Sequence, residues 1–154
     1  MSIIIDANRA GDFTAPCSGH AKEILCRLLR RTLKVVSGGK LHKELCRTKL
    51  RGLLAELQRT GQLKLIDDNI VEAEILKVRI IGYSSDDEHV LGLLRSCSAR
   101  ILYTADIALI DDARNPNLVM PPATIITLGM PSNTVIPPLL QNPKVLVGDD
   151  AEVV

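Results

Sequence analysis

Apolar positions along the chain follow two periods, one of strands and one of helices. Ile3, Ile4 and Ile5 form a continuous β-branched run, the pattern of a strand buried on both faces, and Asp6 ends it. Pro16 and Ser18-Gly19 mark a loop. Ala21, Ile24, Leu25, Leu28 and Leu29 then recur at helical spacing while Lys22, Arg27, Arg30 and Arg31 fall elsewhere, which predicts an amphipathic helix. Residues 33–36 read as a second strand. Ser37-Gly38-Gly39 turns the chain into one helix carrying Leu41, Leu45, Leu50, Leu53, Leu54 and Leu57, with Gly61 as its stop. Asp68, followed by Ile70, Val71, Ala73 and Ile75, predicts a short capped helix, and residues 78–81 are either its extension or a brief strand. Ser85, Asp86, Asp87 and Glu88 fit an S-x-x-E capping box ahead of a helix face of Val90, Leu91, Leu93 and Leu94. Residues 100–103 read as a strand, 107–112 as a short helix and 123–128 as a last apolar strand. The order strand, helix, strand, three helices, strand, helix, strand predicts an α/β fold, a mainly parallel sheet covered on both faces.

After Met130 the pattern changes. Pro131, Pro137, Pro138 and Pro143 break any helix, and Asp149-Asp150 belong to a charged tail. The expected organisation is one domain over residues 1–130 and a Pro-rich C-terminal extension over 131–154, whose apolar patches at 135–140 and 145–147 would form an edge strand or a partner-binding arm. No internal repeat is present.

Composition narrows the class. Of the 154 residues 46% are hydrophobic but only 2% aromatic, so the core must be packed from Leu, Ile, Val and Ala, as in an aliphatic α/β sandwich. No apolar run approaches the ~20 residues of a membrane span, and the N-terminus lacks a basic region and a cleavage site, so a cytoplasmic protein with no membrane partner is expected. Cys17, Cys26, Cys46 and Cys97 form no C-x-x-C pair and are expected as reduced, mostly buried thiols. The formal charge is +1, but residues 20–64 hold twelve Lys and Arg against Glu23, Glu44 and Glu56, a local +9 beside a remainder of −8. Such asymmetry suits an enzyme that grips a polyphosphate and cuts it with metal ions; solvated faces of amphipathic helices are the plainer account.

Four acids carry the chemistry. In an open α/β sheet, ligands bind outside the carboxyl ends of the strands. Asp6 ends the first strand, Asp106 lies two residues past Thr104 at the end of a later one, Asp87 opens the helix that precedes that strand, and Glu44 lies one turn into the helix after Gly39. Carboxylates brought together repel, and a hard divalent cation, Mg²⁺ or Mn²⁺, removes the conflict while activating water and neutralising a phosphodiester. Each acid also has a purely structural role to weigh. Asp86 and Asp87 suit a helix N-terminus, Asp106 an N-cap, and Glu44 a pairing with Lys40 or Thr48. Asp6 resists that account best, because it follows three isoleucines where a lone charge is costly. His20, His42 and His89 lack metal-ligand spacing, and His89, two positions after Asp87, is expected on the helix surface rather than as a general base; Ser37-Gly38-Gly39-Lys40 lacks the full phosphate-loop pattern, and no G-x-S-x-G elbow is present.

Four pieces in order resemble the PIN-domain nucleases: Ile-Ile-Ile-Asp-Ala-Asn at the start, Val-Val-Ser-Gly-Gly-Lys-Leu-His-Lys-Glu-Leu around Glu44, Ser-Asp-Asp-Glu-His-Val-Leu-Gly-Leu-Leu around Asp87, and Ile-Leu-Tyr-Thr-Ala-Asp at Asp106. The resemblance covers about residues 2–128. It implies a three-layer α/β/α fold and Mg²⁺- or Mn²⁺-dependent cleavage of RNA, with DNA as the other substrate. It implies that Asp6, Glu44, Asp87 and Asp106 are the four acidic positions, that Thr104 is the hydroxyl residue before the last acid, and that Asp111 or Asp112 supplies a fifth acid. It also implies a toxin paired with an antitoxin protein, and a homodimer. Leu91 and Leu94 replace the small residues usual after the third acid, and the Pro-rich end has no counterpart. On this reading Asp6 and Asp106 hold the principal metal, Asp87 ligates it directly or through water, and Glu44 orients the attacking water or a second metal. Asn8 and Arg9 would contact phosphate, and Lys40, Lys43, Arg47 and Lys49 would line its approach. The rivals are a PIN-like module that binds RNA or protein without cleaving, and a phospho-acceptor domain, which would need a late-strand lysine that residues 123–130 lack.

Overall fold

The computed structural model describes residues 1–14, 17 and 19–126. The expected strand or arm at 135–140 and 145–147, and the whole extension over 131–154, lie outside them. Strand β1 (Ser2–Ile5) leads into a 3-10 helix (Ala7–Phe13), then α1 (Gly19–Leu29), β2 (Lys34–Gly38), α2 (Gly39–Cys46), α3 (Arg51–Arg59), β3 (Leu63–Ile66), α4 (Asp68–Ile81), α5 (Glu88–Ser96), β4 (Ile101–Tyr103), α6 (Ile107–Arg114) and β5 (Thr124–Ile126). The five strands form one sheet in the order β3-β2-β1-β4-β5, and every pairing is parallel. The connections from β1 to β3 run one way across the sheet and those from β3 to β5 the other. Right-handed crossovers therefore send helices to opposite faces, giving the three layers.

Burial explains the strand pattern. Ile3, Ile4 and Ile5 are at most 1% exposed, and Leu102, Tyr103 and Ile126 are fully buried. The aromatic contribution is small: Phe13 meets the Tyr103 ring edge-on at a centroid distance of 5.8 Å. Among the described residues no helix is long and apolar enough to cross a membrane. The four cysteines form no disulfide, and all are only half-buried, more open than their expected placement.

Three element assignments are corrected. The helix expected from Leu41 to Leu57 is two helices, because the Thr48 hydroxyl donates to the Leu45 carbonyl at 2.6 Å and accepts from the Leu50 amide at 3.1 Å, ending α2 and opening the next turn. Residues 63–66 form a strand, β3, that no apolar run announces. Residues 78–81 continue α4, whose cap is Asp67, accepting from the Asn69 amide at 2.8 Å, rather than the expected Asp68.

At two positions glycine is required where the backbone must bend or come close. Gly39 turns from β2 into α2 at φ +53°, a left-handed value, and Gly92 presses α5 on α4 so closely that a Cβ there would lie 2.6 Å from Ile75 Cγ1.

Candidate metal centre

The strand order reverses between β1 and β4, where connections leave in opposite directions and open a crevice at the carboxyl ends. Asp6 stands in it because the Asp6 amide still donates to Tyr103 O at 2.9 Å, extending the β1–β4 pairing by one residue before the chain turns. Asp6 is 5% exposed. Thr104, fully buried after β4, donates its hydroxyl to Asp6 Oδ2 at 2.7 Å and accepts the Asp106 amide at 3.1 Å. One hydroxyl thus ties the ends of the two strands and fixes its own proton on the Asp6 side. Burial pushes the Asp6 carboxyl above its usual range, and Glu44 adds to this, against the Thr104 hydroxyl, the Ala7 amide and His89.

Asp106 caps α6, its Oδ1 accepting from Leu109 N at 3.2 Å. The expected N-cap role is therefore real. Asp87 is the residue before α5, and its side chain caps nothing. The expected capping box does not form: Glu88 instead pairs with Arg79 and accepts the Tyr83 hydroxyl, while Ser85 Oγ accepts the Asp87 amide at 3.4 Å. The Asp87 carboxyl is pushed up to about 7, first by burial, then by hydrogen bonding to Asp106, then by the charges of Asp6, Asp106 and Glu44. Burial alone would raise it, and the further push from three other acids is the electrostatic sign of convergence. Glu44, on α2, lies 3.8 Å from Lys40 Nζ and 3.6 Å from His89 Nε2. The second distance is too long for a hydrogen bond. His89 is 5% exposed, and burial holds its pKa below the usual value against the pull of Glu44.

The remaining expected residues divide. Lys40 and Lys43 lie on α2 and Arg47 follows its last residue, at spacings of three and four that put all three on one exposed face. Asn8 accepts the Ala105 amide at 3.3 Å, bracing the loop beside Asp6. Arg9 does not face the crevice as a free cation: it is 8% exposed, its Nε donates to Asp12 at 2.7 Å, and its guanidinium lies 5.7 Å from the Tyr103 ring centroid. Asp12 also accepts the Tyr103 hydroxyl at 2.6 Å. Asp111 is exposed on α6. Asp112 is 4% exposed and accepts the amides of Ser84, at 2.9 and 3.1 Å, and Ser85, at 2.8 Å. It pins the loop that delivers Asp87. Sequence reasoning passed over this bracing role, over Asp12, and over Ser37, whose buried hydroxyl at the end of β2 has no partner among the described residues; His89, expected on the helix surface, is instead buried beside Glu44. A polar residue inside the Val-Val-Ser run was the one available signal for Ser37.

Among the described residues, no group of three or more His, Cys, Asp or Glu is arranged to hold one ion. The donor chemistry still fits Mg²⁺, which keeps most of its waters and is held by one or two carboxylates. Asp87 and Asp106, close enough for each to bear on the other, supply such a pair, with Asp6 and Glu44 in electrostatic reach.

Comparisons of the chain with protein-family models, with curated proteins and with solved structures find no match. Fold and site define a class by their own chemistry: a parallel α/β sandwich with an acidic crevice at its switch point.

Proposed function

We propose that the chain is a divalent-cation-dependent phosphodiesterase that hydrolyses RNA, as its resemblance to PIN-domain nucleases implies. The observation that supports this reading best is the Asp87 carboxyl held at about 7 among Asp6, Asp106 and Glu44, four acids drawn from four separate stretches of chain. Asp87 and Asp106 would hold Mg²⁺ or Mn²⁺ with Asp6 reaching it through water, and Asp87 would give up its proton as the cation binds. When bound, such a cation supplies charge neutralisation on the phosphodiester and a more acidic water. Glu44 accepts a proton from the attacking water, and Thr104 holds Asp6 in register. Lys40, Lys43 and Arg47 grip the backbone on the flanking face.

The test is cleavage of single-stranded RNA with and without Mn²⁺. Wild type should cleave, chelator should stop it, and Asp6→Asn should lose at least about 100-fold in rate while melting normally, since one carboxylate charge is removed with little change in shape. RNA binding without cleavage would make the chain a binding module; an active Asp6→Asn protein would remove Asp6 from the site.

A further inference from the structure

Between α2, α4 and the start of α5 lies a cavity of about 300 Å³. That is the lower end of the range for small-molecule sites. Val71 and Ile75 of α4 supply apolar surface, Glu72 stands on the same helix, and Lys40 and Lys43 stand on α2. His89 also lines it, 5% exposed, with a buried Nε2 that has no hydrogen-bond partner among the described residues. That Nε2 stands 3.6 Å from the Glu44 carboxylate, just beyond hydrogen-bond distance, so the cavity adjoins the acidic crevice.

We propose that this cavity receives the nucleobase of a nucleotide next to the bond cleaved in the crevice. Its position beside the cleaved bond rests on the phosphodiesterase reading; the choice of a nucleobase rests on the cavity itself. A bare phosphate is disfavoured, because Asp68 and Glu72 stand on its α4 side. A base offers flat apolar faces to Val71 and Ile75 and a polar edge to the groups around them. Asp68 already accepts the Gly39 amide at 3.2 Å, which leaves Glu72 to accept from an exocyclic amino group. Cytosine carries such a donor, whereas uracil presents a carbonyl in the same place and meets the carboxylate unfavourably. The His89 ring closes the cavity on the side of Glu44, and Lys40 and Lys43 stand where the sugar-phosphate leaves it.

The experiment is a titration of the full chain, followed by amide resonances in chelator, with CMP, UMP and ribose 5-phosphate. CMP should move Lys43, Val71, Ile75 and His89 and bind about three- to tenfold tighter than UMP, the worth of one hydrogen bond. Ribose 5-phosphate should leave Val71 and Ile75 in place. Glu72→Ala, at an exposed position, should bring CMP down to the UMP level. Equal binding of CMP and UMP, no binding, or ribose 5-phosphate moving the same residues would each overturn the proposal. The two readings fail separately. An Asp6→Asn protein that still binds CMP keeps the cavity whatever its cleavage, and a chain that cleaves RNA while CMP never reaches Val71 and Ile75 loses only the cavity.

Discussion

Asp87 shows how a single residue reports on its surroundings. Its ordinary pKa is about 3.9, and its folded value of about 7 means that between those pH values the folded chain holds a proton the unfolded chain has released. The sign follows: this group's contribution to stability is greatest at low pH and declines as pH rises through about 4 to 7. Glu88 runs the other way, held at about 2 by Arg79 and Tyr83, so its contribution is present above its ordinary pKa and lost only in strong acid. In chelator, Asp87→Asn should therefore gain thermal stability relative to the natural protein as pH is raised from 5 to 8. Parallel melting curves across that range would mean that Asp87 is not crowded by other acids. At this scale the sequence was legible for the placement of Asp6, buried where the Ile3-Ile4-Ile5 strand ends. It misled for Arg9. Nearness to Asp6 in sequence suggested a phosphate contact, but the 3-10 turn carries the guanidinium back to Asp12 and Tyr103.

At the scale of elements, strong periodicity was readable and edges were not. Strand β1 and helices α1, α5 and α6 follow their apolar spacing. Strand β3 escaped because its Leu-Lys-Leu-Ile pairs only with β2 at the sheet edge, with Lys64 and Leu65 exposed, so neither a buried run nor a clean alternation marks it. The break between α2 and α3 escaped because leucines continue across it and the deciding bonds come from one Thr48 hydroxyl. The loop before α5 is held from outside by Asp112, which no local motif could indicate. Asp112→Ala should cost about 2–4 kcal/mol, because two amides lose their acceptor, and should lower cleavage as Asp87 loosens. Asp111→Ala, one residue away and exposed, should stay within about 0.5 kcal/mol of wild type in a denaturant titration. Similar losses from both would mean that the loop is not pinned by Asp112, and full activity in an intact Asp111→Ala protein would remove it as a fifth acid.

At the scale of the molecule, the charge asymmetry acquires a place. Lys40 and Lys43 on α2 and Arg47 just after it are exposed together, and Glu44 is on the same helix beside Lys40 and His89. Reversing Lys43 and Arg47 to Glu should weaken RNA binding and reduce the salt slope by about 1–2, because every phosphate no longer neutralised by the protein keeps roughly one counterion that binding would otherwise release. An unchanged slope would return the face to ordinary solvated charge. The central claim, that acids from distant strand ends share one cation, is tested most directly by thermal stability against added Mn²⁺. A cation that binds only the folded chain stabilises it by about 2.7 kcal/mol at a hundred times its dissociation constant. The natural protein should melt progressively higher as Mn²⁺ is added. A variant with Asp6→Asn and Asp106→Asn should be unmoved by Mn²⁺, its metal-free form as stable as the natural one or more so, because Asn caps a helix as well as Asp does and two crowded charges are gone. Equal Mn²⁺ responses in the two proteins would contradict the shared site.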